Sequence, residues 1–358
     1  MRRGLWLVAV LAALSMVTAA CGSNDNKNSS SSATTVSIAC DPGTVSGAGS
    51  TFVQNIAQQW IKDFQAKCSG ATVTYQGGGS GAGITQFTQG LIDFGGTDVP
   101  MSATEEQGAV AKGGAVSSIP WSGGGIAIEY NLSGVSNLKL APDTLAGIFA
   151  GKIKTWDATE IKGENSGVTL PSTGIQVIHR SDGSGTSNAL TSYLSAVAPT
   201  IWTFGASKDP KWPAGLGAKG SDGVTGAVKQ TAGAIGYAET SYAKGAALGI
   251  ASIKNAAGSF VLPDPKNAAA ALAEAQVPAD LKIVPNYKAT AANAYPITTP
   301  TWALVFAKPA DAAKGKLIKD FLVYAAGPGQ SSAEGLYYIP LPSSLQQQVK
   351  TAVNSIQA

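Results

Sequence analysis

Apolar residues recur at every fourth position from Phe52 through Ile56 and Trp60 to Phe64, and Val53 and Ile61 widen the stripe. That spacing predicts an amphipathic helix, and Cys68-Ser69-Gly70 predicts its end. The same periodicity runs from Ile84 through Phe87 to Leu91, and from Leu190 through Tyr193 and Leu194 to Val197. Between these stretches lie short apolar runs beside Gly-rich turns, Val73-Thr74-Tyr75, Ile126-Ala127-Ile128 and Ile175-Gln176-Val177-Ile178, which predict buried strands. Strands alternating with helices of this length imply an α/β fold with mixed, largely parallel sheets. The Ala-rich stretch from Asn267 to Ala275 reads as a surface helix, and Pro263, Pro265 and Pro285 as parts of connections. The sequence shows no internal repeat.

At 358 residues the chain is long for one core and favours two domains. With 13% charged and 44% hydrophobic residues it is globular rather than disordered. Arg2 and Arg3, the apolar stretch from Leu5 to Ala13, and Thr18-Ala19-Ala20 before Cys21 have the layout of a secretory signal over residues 1–20. The apolar stretch is too short to span a bilayer. The cleavage site resembles a bacterial lipobox, although Thr18 stands where that motif usually carries an aliphatic residue. Lipid attachment at Cys21 and plain secretion are the two readings. Residues 21–44 then form a lipidated cysteine and tether, most clearly in the Ser/Asn-rich run from Gly22 to Thr35. Two acyl chains at ~0.8 kcal/mol per buried CH₂ would hold the protein on the extracytoplasmic face of the cell membrane. Loss of Arg2 and Arg3 takes the 25 basic residues to 23 against 22 acidic ones, so there is no basic field for nucleic acid.

With Cys21 assigned to lipid, Cys40 and Cys68 remain as a pair in an oxidising compartment, where a disulfide is the natural use and two buried thiols the alternative. One histidine and no closely spaced cysteine pair argue against a metal site.

Glycine supplies 43 residues, well above the usual ~7%, and the excess is clustered beside Ser and Thr. Three such clusters stand before helical stretches: Gly47-Ala48-Gly49-Ser50-Thr51, Gly77-Gly78-Gly79-Ser80-Gly81, and Asp182-Gly183-Ser184-Gly185-Thr186. A helix start offers unpaired N–H donors and about half a positive charge, and glycine lets an anion approach the backbone. One such loop is more often only a cap. Three in one chain favour an anion site. None carries the Gly-x-x-x-x-Gly-Lys-Ser/Thr of a nucleotide P-loop, a dinucleotide fingerprint, or the Gly-x-Ser-x-Gly of a serine hydrolase elbow.

Arg180 follows a predicted strand and precedes Asp182 by two residues; its guanidinium suits a tetrahedral oxyanion, with Asp182 to orient it, whereas a surface ion pair is the plainer alternative. His179 reads as a strand residue facing away from Arg180. Asp98, after Phe94-Gly95-Gly96-Thr97 and before Val99-Pro100, reads by itself as a turn aspartate.

In combination these segments resemble the phosphate-binding proteins of bacterial Pst-type ABC importers, members of the type 2, two-lobed periplasmic binding-protein class. The resemblance rests on Gly47-Ala48-Gly49-Ser50-Thr51-Phe52, Tyr75-Gln76-Gly77-Gly78-Gly79-Ser80, Asp93-Phe94-Gly95-Gly96-Thr97-Asp98 and Gly151-Lys152-Ile153-Lys154-Thr155-Trp156. It extends through Arg180-Ser181-Asp182-Gly183-Ser184-Gly185-Thr186, Lys211-Trp212-Pro213, Gly233-Ala234-Ile235-Gly236-Tyr237 and Tyr295-Pro296-Ile297-Thr298. It implies that Thr51, Phe52, Ser80, Arg180, Ser184, Gly185 and Thr186 donate to one phosphate, that Asp98 is the charged acceptor, and that Asp182 orients Arg180. The cysteine pair is no part of it. It further implies lobe I over 45–124 and 297–358, lobe II over 125–296, a hinge crossed twice, and ligand capture in the cleft between them. The implied partners are inorganic phosphate and the permease subunits of the importer, for a monomer that needs no cofactor and performs no catalysis. Another tetrahedral oxyanion, or a phosphatase or serine hydrolase, are the competing functions.

Overall fold

The computed structural model describes residues 38–358, so the expected signal segment, Cys21 and most of the expected tether lie outside the described residues. The first strand, β1 (Gly43–Gly49), pairs in parallel with β2 (Ala71–Gly77) on one side and β3 (Phe94–Thr97) on the other. Helices α1 (Gln54–Lys67) and α2 (Ser80–Gln89) make the crossovers, and α3 (Ala103–Gly113) leads into a long strand, β4 (Val116–Tyr130). Next come β5 (Lys139–Leu140), α4 (Pro142–Phe149), α5 (Thr159–Glu164) and β6 (Gln176–Arg180), then α6 (Gly185–Val197), β7 (Leu216–Ala218), α7 (Gly220–Gln230) and β8 (Ala234–Glu239). The chain continues through α8 (Thr240–Gly245), β9 (Gly249–Ile250), β10 (Ser252–Lys254), β11 (Phe260–Val261) and α9 (Pro265–Leu272) to β12 (Thr298–Phe306), α10 (Ala312–Ala326) and α11 (Ser343–Asn354).

These strands form a nine-stranded sheet in the order β2-β1-β3-β12-β4-β8-β6-β7, with β9 added to β4, and a small sheet β11-β10-β5. The main sheet is mixed. Its flanks are parallel, but its centre is antiparallel because β12 returns from far along the chain to lie between β3 and β4. Along β4 the partner changes: β12 pairs with it as far as Gly125, and β8 takes over from Ile126. The predicted strands and helices all form, with local differences. Residues 51–53 make a bend, so Phe52 is buried ahead of α1 rather than within it. Gly90, with φ of 71°, closes α2 in the left-handed region, which leaves Leu91 67% exposed instead of on the buried stripe. Pro265 opens α9 rather than lying in a connection, as befits a residue with no N–H to leave unpaired.

Aromatic residues fill the core on both sides of the sheet's centre. Trp121 of β4 meets Trp60 and Tyr75, with ring centroids 6.0 and 5.9 Å away, and beyond Gly125 the core continues through Phe149 against Tyr237 at 5.8 Å. Cys40 and Cys68 are disulfide-bonded, with Cα atoms 5.1 Å apart. Ahead of β1, the amides of Ala39 and Asp41 donate to the two carboxylate oxygens of Asp320 in α10.

β4 and β8 also carry two carboxyl groups into the interior. Burial pushes Glu129 up to about 8, against a hydrogen bond from Thr225, and pushes Glu239 up to about 8, against hydrogen bonds from the Ser241 hydroxyl and amide. Their unfolded reference is 4.5, so the folded chain holds more protons than the unfolded one between about 4.5 and 8. Stability should therefore fall as pH rises through that window, by up to ~1.4 kcal/mol per pH unit for each group. Glu129→Gln should flatten the slope by its share, as measured by denaturant unfolding of ligand-free protein between pH 5.5 and 8.5.

Candidate functional site

Four strands deliver the predicted residues at their C-terminal ends, where open α/β sheets place their ligands. β1 ends at Gly49 and is followed by Ser50-Thr51-Phe52; β2 ends at Gly77 and is followed by the turn into α2; β3 ends one residue before Asp98; β6 ends in Arg180. The third loop then caps its helix directly: the Ser187 amide donates to Ser184 Oγ at 3.1 Å, which makes Ser184 the N-cap of α6.

Asp98 lies at the meeting point. Ser50 Oγ donates to its Oδ2 at 2.6 Å, Ser80 Oγ to the same oxygen at 3.3 Å, and Thr301 Oγ1 to Oδ1 at 2.7 Å. Ser80 Oγ in turn accepts from the amides of Asp98 at 3.2 Å and Gly185 at 3.1 Å, so one hydroxyl ties the second loop to the third. Burial pushes Asp98 up to about 6, against the hydrogen bonds from Ser50 and Thr301, the charge of Arg180 and the hydrogen bond from Ser80.

Arg180 is buried and gripped from one side. Its Nε donates to Asp182 Oδ1 at 2.7 Å and its Nη2 to Oδ2 at 2.5 Å, while the Gly220 amide donates to Oδ1 at 3.1 Å. Burial alone would raise Asp182; the hydrogen bonds and charge of Arg180, with the Gly220 amide, hold it below the usual carboxylate range. The pair is therefore not a surface bridge, since the Arg180 side chain is 1% and the Asp182 side chain 14% exposed. His179 points elsewhere and stacks on Trp212, with centroids 5.1 Å apart.

The remaining predicted residues complete a continuous patch. Thr51 Oγ1 accepts from the Ser221 amide at 3.1 Å, and the Phe52 amide donates to Ser50 Oγ at 3.0 Å. The Ser184 amide donates to the Lys208 carbonyl at 2.7 Å, so that N–H is engaged within the protein. Thr186 Oγ1 is buried without a hydrogen-bond partner, an unsatisfied hydroxyl beside the Gly185 amide. Two glycines are required by close approach. A Cβ at Gly79, where φ is +90°, would lie 2.2 Å from Asp182 Oδ2, and one at Gly185 would lie 2.6 Å from Asp98 Cβ. Among the described residues no group of three or more His, Cys, Asp or Glu could hold a metal ion, and no helix is long and apolar enough to cross a membrane.

Residues 28–328 match the family described as a PBP superfamily domain. The phosphate-binding protein PstS 2 of Mycobacterium tuberculosis is 37% identical over 364 residues, spanning 98% of this chain and 97% of that protein. The chain belongs to the PstS family of phosphate-binding proteins. The PstS protein of Xylella fastidiosa is 37% identical over 86% of this chain and 84% of its own. Among solved structures, a high-affinity periplasmic phosphate-binding protein (PfluDING) bound with phosphate superposes with a TM-score of 0.70 at 25% identity, over 86% of this chain and 93% of that one. The α/β fold with its mixed, curled sheet is thus that of the type 2 periplasmic binding proteins.

In this PstS-family chain, sequence reasoning missed several residues at the site. Ser221 opens α7 from Lys219-Gly220-Ser221-Asp222, a fourth Gly/Ser helix start whose Val224 and Val228 carry the same helical spacing as the others. Tyr242 Oη donates to the Thr51 carbonyl and Tyr338 Oη to the Phe52 carbonyl, each at 2.6 Å, and no local pattern marks them. Beside Ser184, whose amide donates to its carbonyl, Lys208 pairs with Glu105.

Breaking a buried ion pair by deleting one partner leaves an uncompensated charge, at a cost of about 3–5 kcal/mol. Asp182→Ala should destabilise the ligand-free protein by roughly 3 kcal/mol in guanidinium unfolding. A loss below ~1 kcal/mol would place the pair with ordinary surface bridges.

Proposed function

We propose that this chain is an extracytoplasmic lipoprotein that binds inorganic phosphate in a cleft between two lobes and delivers it to the permease of an ABC-type importer. The observation that carries the reading is the convergence of three Gly-rich loops on one buried carboxylate and one buried guanidinium, joined through Ser80 Oγ to Asp98 and Gly185. The names of the relatives and of the phosphate-bound solved structure point the same way.

The lobes are residues 45–124 with 297–358, and residues 125–296. Two features support that division: β4 exchanges β12 for β8 between Gly125 and Ile126, and the Ile126 amide donates to the Ile297 carbonyl at 2.8 Å, which brings the two crossings side by side. Thr51, Phe52, Ser80 and Asp98 then belong to the first lobe and Arg180, Ser184, Gly185 and Thr186 to the second, so a ligand that touches both favours closure. Lipid at Cys21 keeps the monomer at the membrane.

Hydroxyls, amides and the Arg180 guanidinium donate to the phosphate oxygens, and Asp182 holds the guanidinium in its plane. Asp98 accepts a hydrogen bond from the proton that phosphate carries. Sulfate at neutral pH has no proton to give and would set lone pairs against a carboxylate in a dry site, which costs several kcal/mol; arsenate has the proton and should bind. No bond is made or broken and no cofactor is used. A donor-rich site of this kind supplies no nucleophile, metal or general base.

Calorimetric titration of soluble protein beginning at Gly22, freed of carried-over ligand, should give tight one-to-one binding of phosphate and no heat with sulfate. A site built around a ligand hydrogen rejects an analogue lacking it by roughly 10⁴–10⁵. Asp98→Asn should weaken phosphate binding and narrow that ratio at least about tenfold. Sulfate binding as tightly as phosphate to the unmodified protein, or unchanged selectivity in the variant, would overturn the role given to Asp98. Steady turnover of a phosphate ester that Ser184→Ala abolishes would overturn transport.

A further inference from the structure

Asp98 is surrounded by hydroxyls that the expected ligand set does not include. Ser50 is 1% exposed, and its Oγ has Asp98 Oδ2 as its acceptor at 2.6 Å while it accepts from the Phe52 amide at 3.0 Å, so its single proton is directed at the carboxylate. Thr301, fully buried, reaches the other oxygen at 2.7 Å, with the Thr97 carbonyl farther off at 3.1 Å; its Oγ1 accepts from Trp121 Nε1 at 3.3 Å. Thr301 stands where the register of β12 on β4 slips: Thr301 faces Ser122, but Trp302 faces Pro120, which leaves Trp121 unmatched. A bulge beside a functional site is a common means of re-aiming a side chain.

We propose that Ser50 and Thr301 are specificity-determining positioning residues, which hold Asp98 as a pure hydrogen-bond acceptor and so decide that the site takes a protonated oxyanion and refuses an unprotonated one. The inference rests on the phosphate reading above. A buried carboxylate is costly unless donors satisfy its oxygens, and without them it takes up a proton. A carboxylate accepts only; a protonated carboxyl donates, and in that form it would offer sulfate the proton that sulfate lacks. Selectivity is thus set by how many fixed donors face Asp98. Ser80 is the third, at 3.3 Å, but it also serves the Gly185 amide. The ionisable groups that act on Asp98 or are acted on by it are Arg180 from β6, which favours its charge, Tyr75 from β2 and Tyr242 from α8. Burial keeps both tyrosines neutral far above physiological pH, and Asp182 offsets Arg180 equally in every variant considered.

Hydrogen bonds to charged groups are strong enough that losing one should move the carboxyl midpoint by about one pH unit or more. The test compares wild type, Ser50→Ala and Thr301→Val with the hydroxyl-retaining Ser50→Thr and Thr301→Ser. The ¹³C resonance of the Asp98 carboxyl, assigned with Asp98→Asn, is titrated in ligand-free protein, and phosphate and sulfate affinities are measured by calorimetry from pH 5 to 8. The expected result is a carboxyl midpoint about one unit higher in Ser50→Ala and Thr301→Val, sulfate binding that appears at correspondingly higher pH, and a phosphate-over-sulfate ratio about tenfold smaller near pH 6. The hydroxyl-retaining variants should return both readouts toward wild type. An unmoved midpoint, or a moved midpoint with unchanged selectivity, overturns the inference while leaving phosphate binding intact. Should either apolar variant fail to fold, the other decides, since the two act on different oxygens. Absence of binding of either anion to wild type at any pH overturns the phosphate reading and this inference together.

Discussion

Two opposite charges, Asp98 and Arg180, are withdrawn from water near one another, and the fold around them answers the first with hydroxyl dipoles and the second with a counter-charge. A charge in a dry interior is tolerable only where its hydrogen-bonding capacity is filled. Asp98 is met by three hydroxyls from three separate parts of the chain, and Arg180 by a carboxylate two residues away that is itself tied to the Gly220 amide. The strand ends, the helix starts and the close glycine contacts at Gly79 and Gly185 are all consequences of fitting those partners around two charges.

The difference between the two arrangements is informative. Arg180 and Asp182 are neighbours in sequence, so their pairing is local, survives any movement of distant elements, and holds the guanidinium in one orientation. Asp98 depends on contacts that span as many as 203 residues. Its protonation is therefore coupled to the packing of the whole sheet centre, in particular to how β12 is seated between β3 and β4.

That contrast also explains what was legible in the sequence. Helix starts, Gly/Ser loops and an Arg-x-Asp spacing are local features, so all three loops, Arg180 and Asp182 stand out in the linear order of residues, whereas Asp98 reads by itself only as a turn aspartate and takes its acceptor role from the family resemblance. Ser50 lies inside one of those loops, but the family resemblance assigns a role to its neighbour Thr51 and none to Ser50. Thr301 carries no signal beyond being a polar β-branched residue in a strand. Its importance arises from a register slip, which depends on pairing between segments far apart in the chain. Tyr242 and Tyr338, which hold the carbonyls of the first loop, are invisible for the same reason. The central antiparallel pairing is likewise hidden, since periodicity identifies strands but not which strand returns to lie between two others.

Glu105 gives the site a mechanical property. One of its carboxylate oxygens accepts from the Ser102 amide at 2.8 Å and so closes the capping box of α3, while the other meets Lys208, whose carbonyl accepts from the Ser184 amide at 2.7 Å. The start of α3, at the protein's edge, and the start of α6, inside the site, are thus two ends of one short linkage with a single side-chain ion pair as its joint. Displacing either helix start loads that joint, and the joint, as the linkage's pair of opposite full charges and partly exposed, is the member that dissolved salt screens most directly.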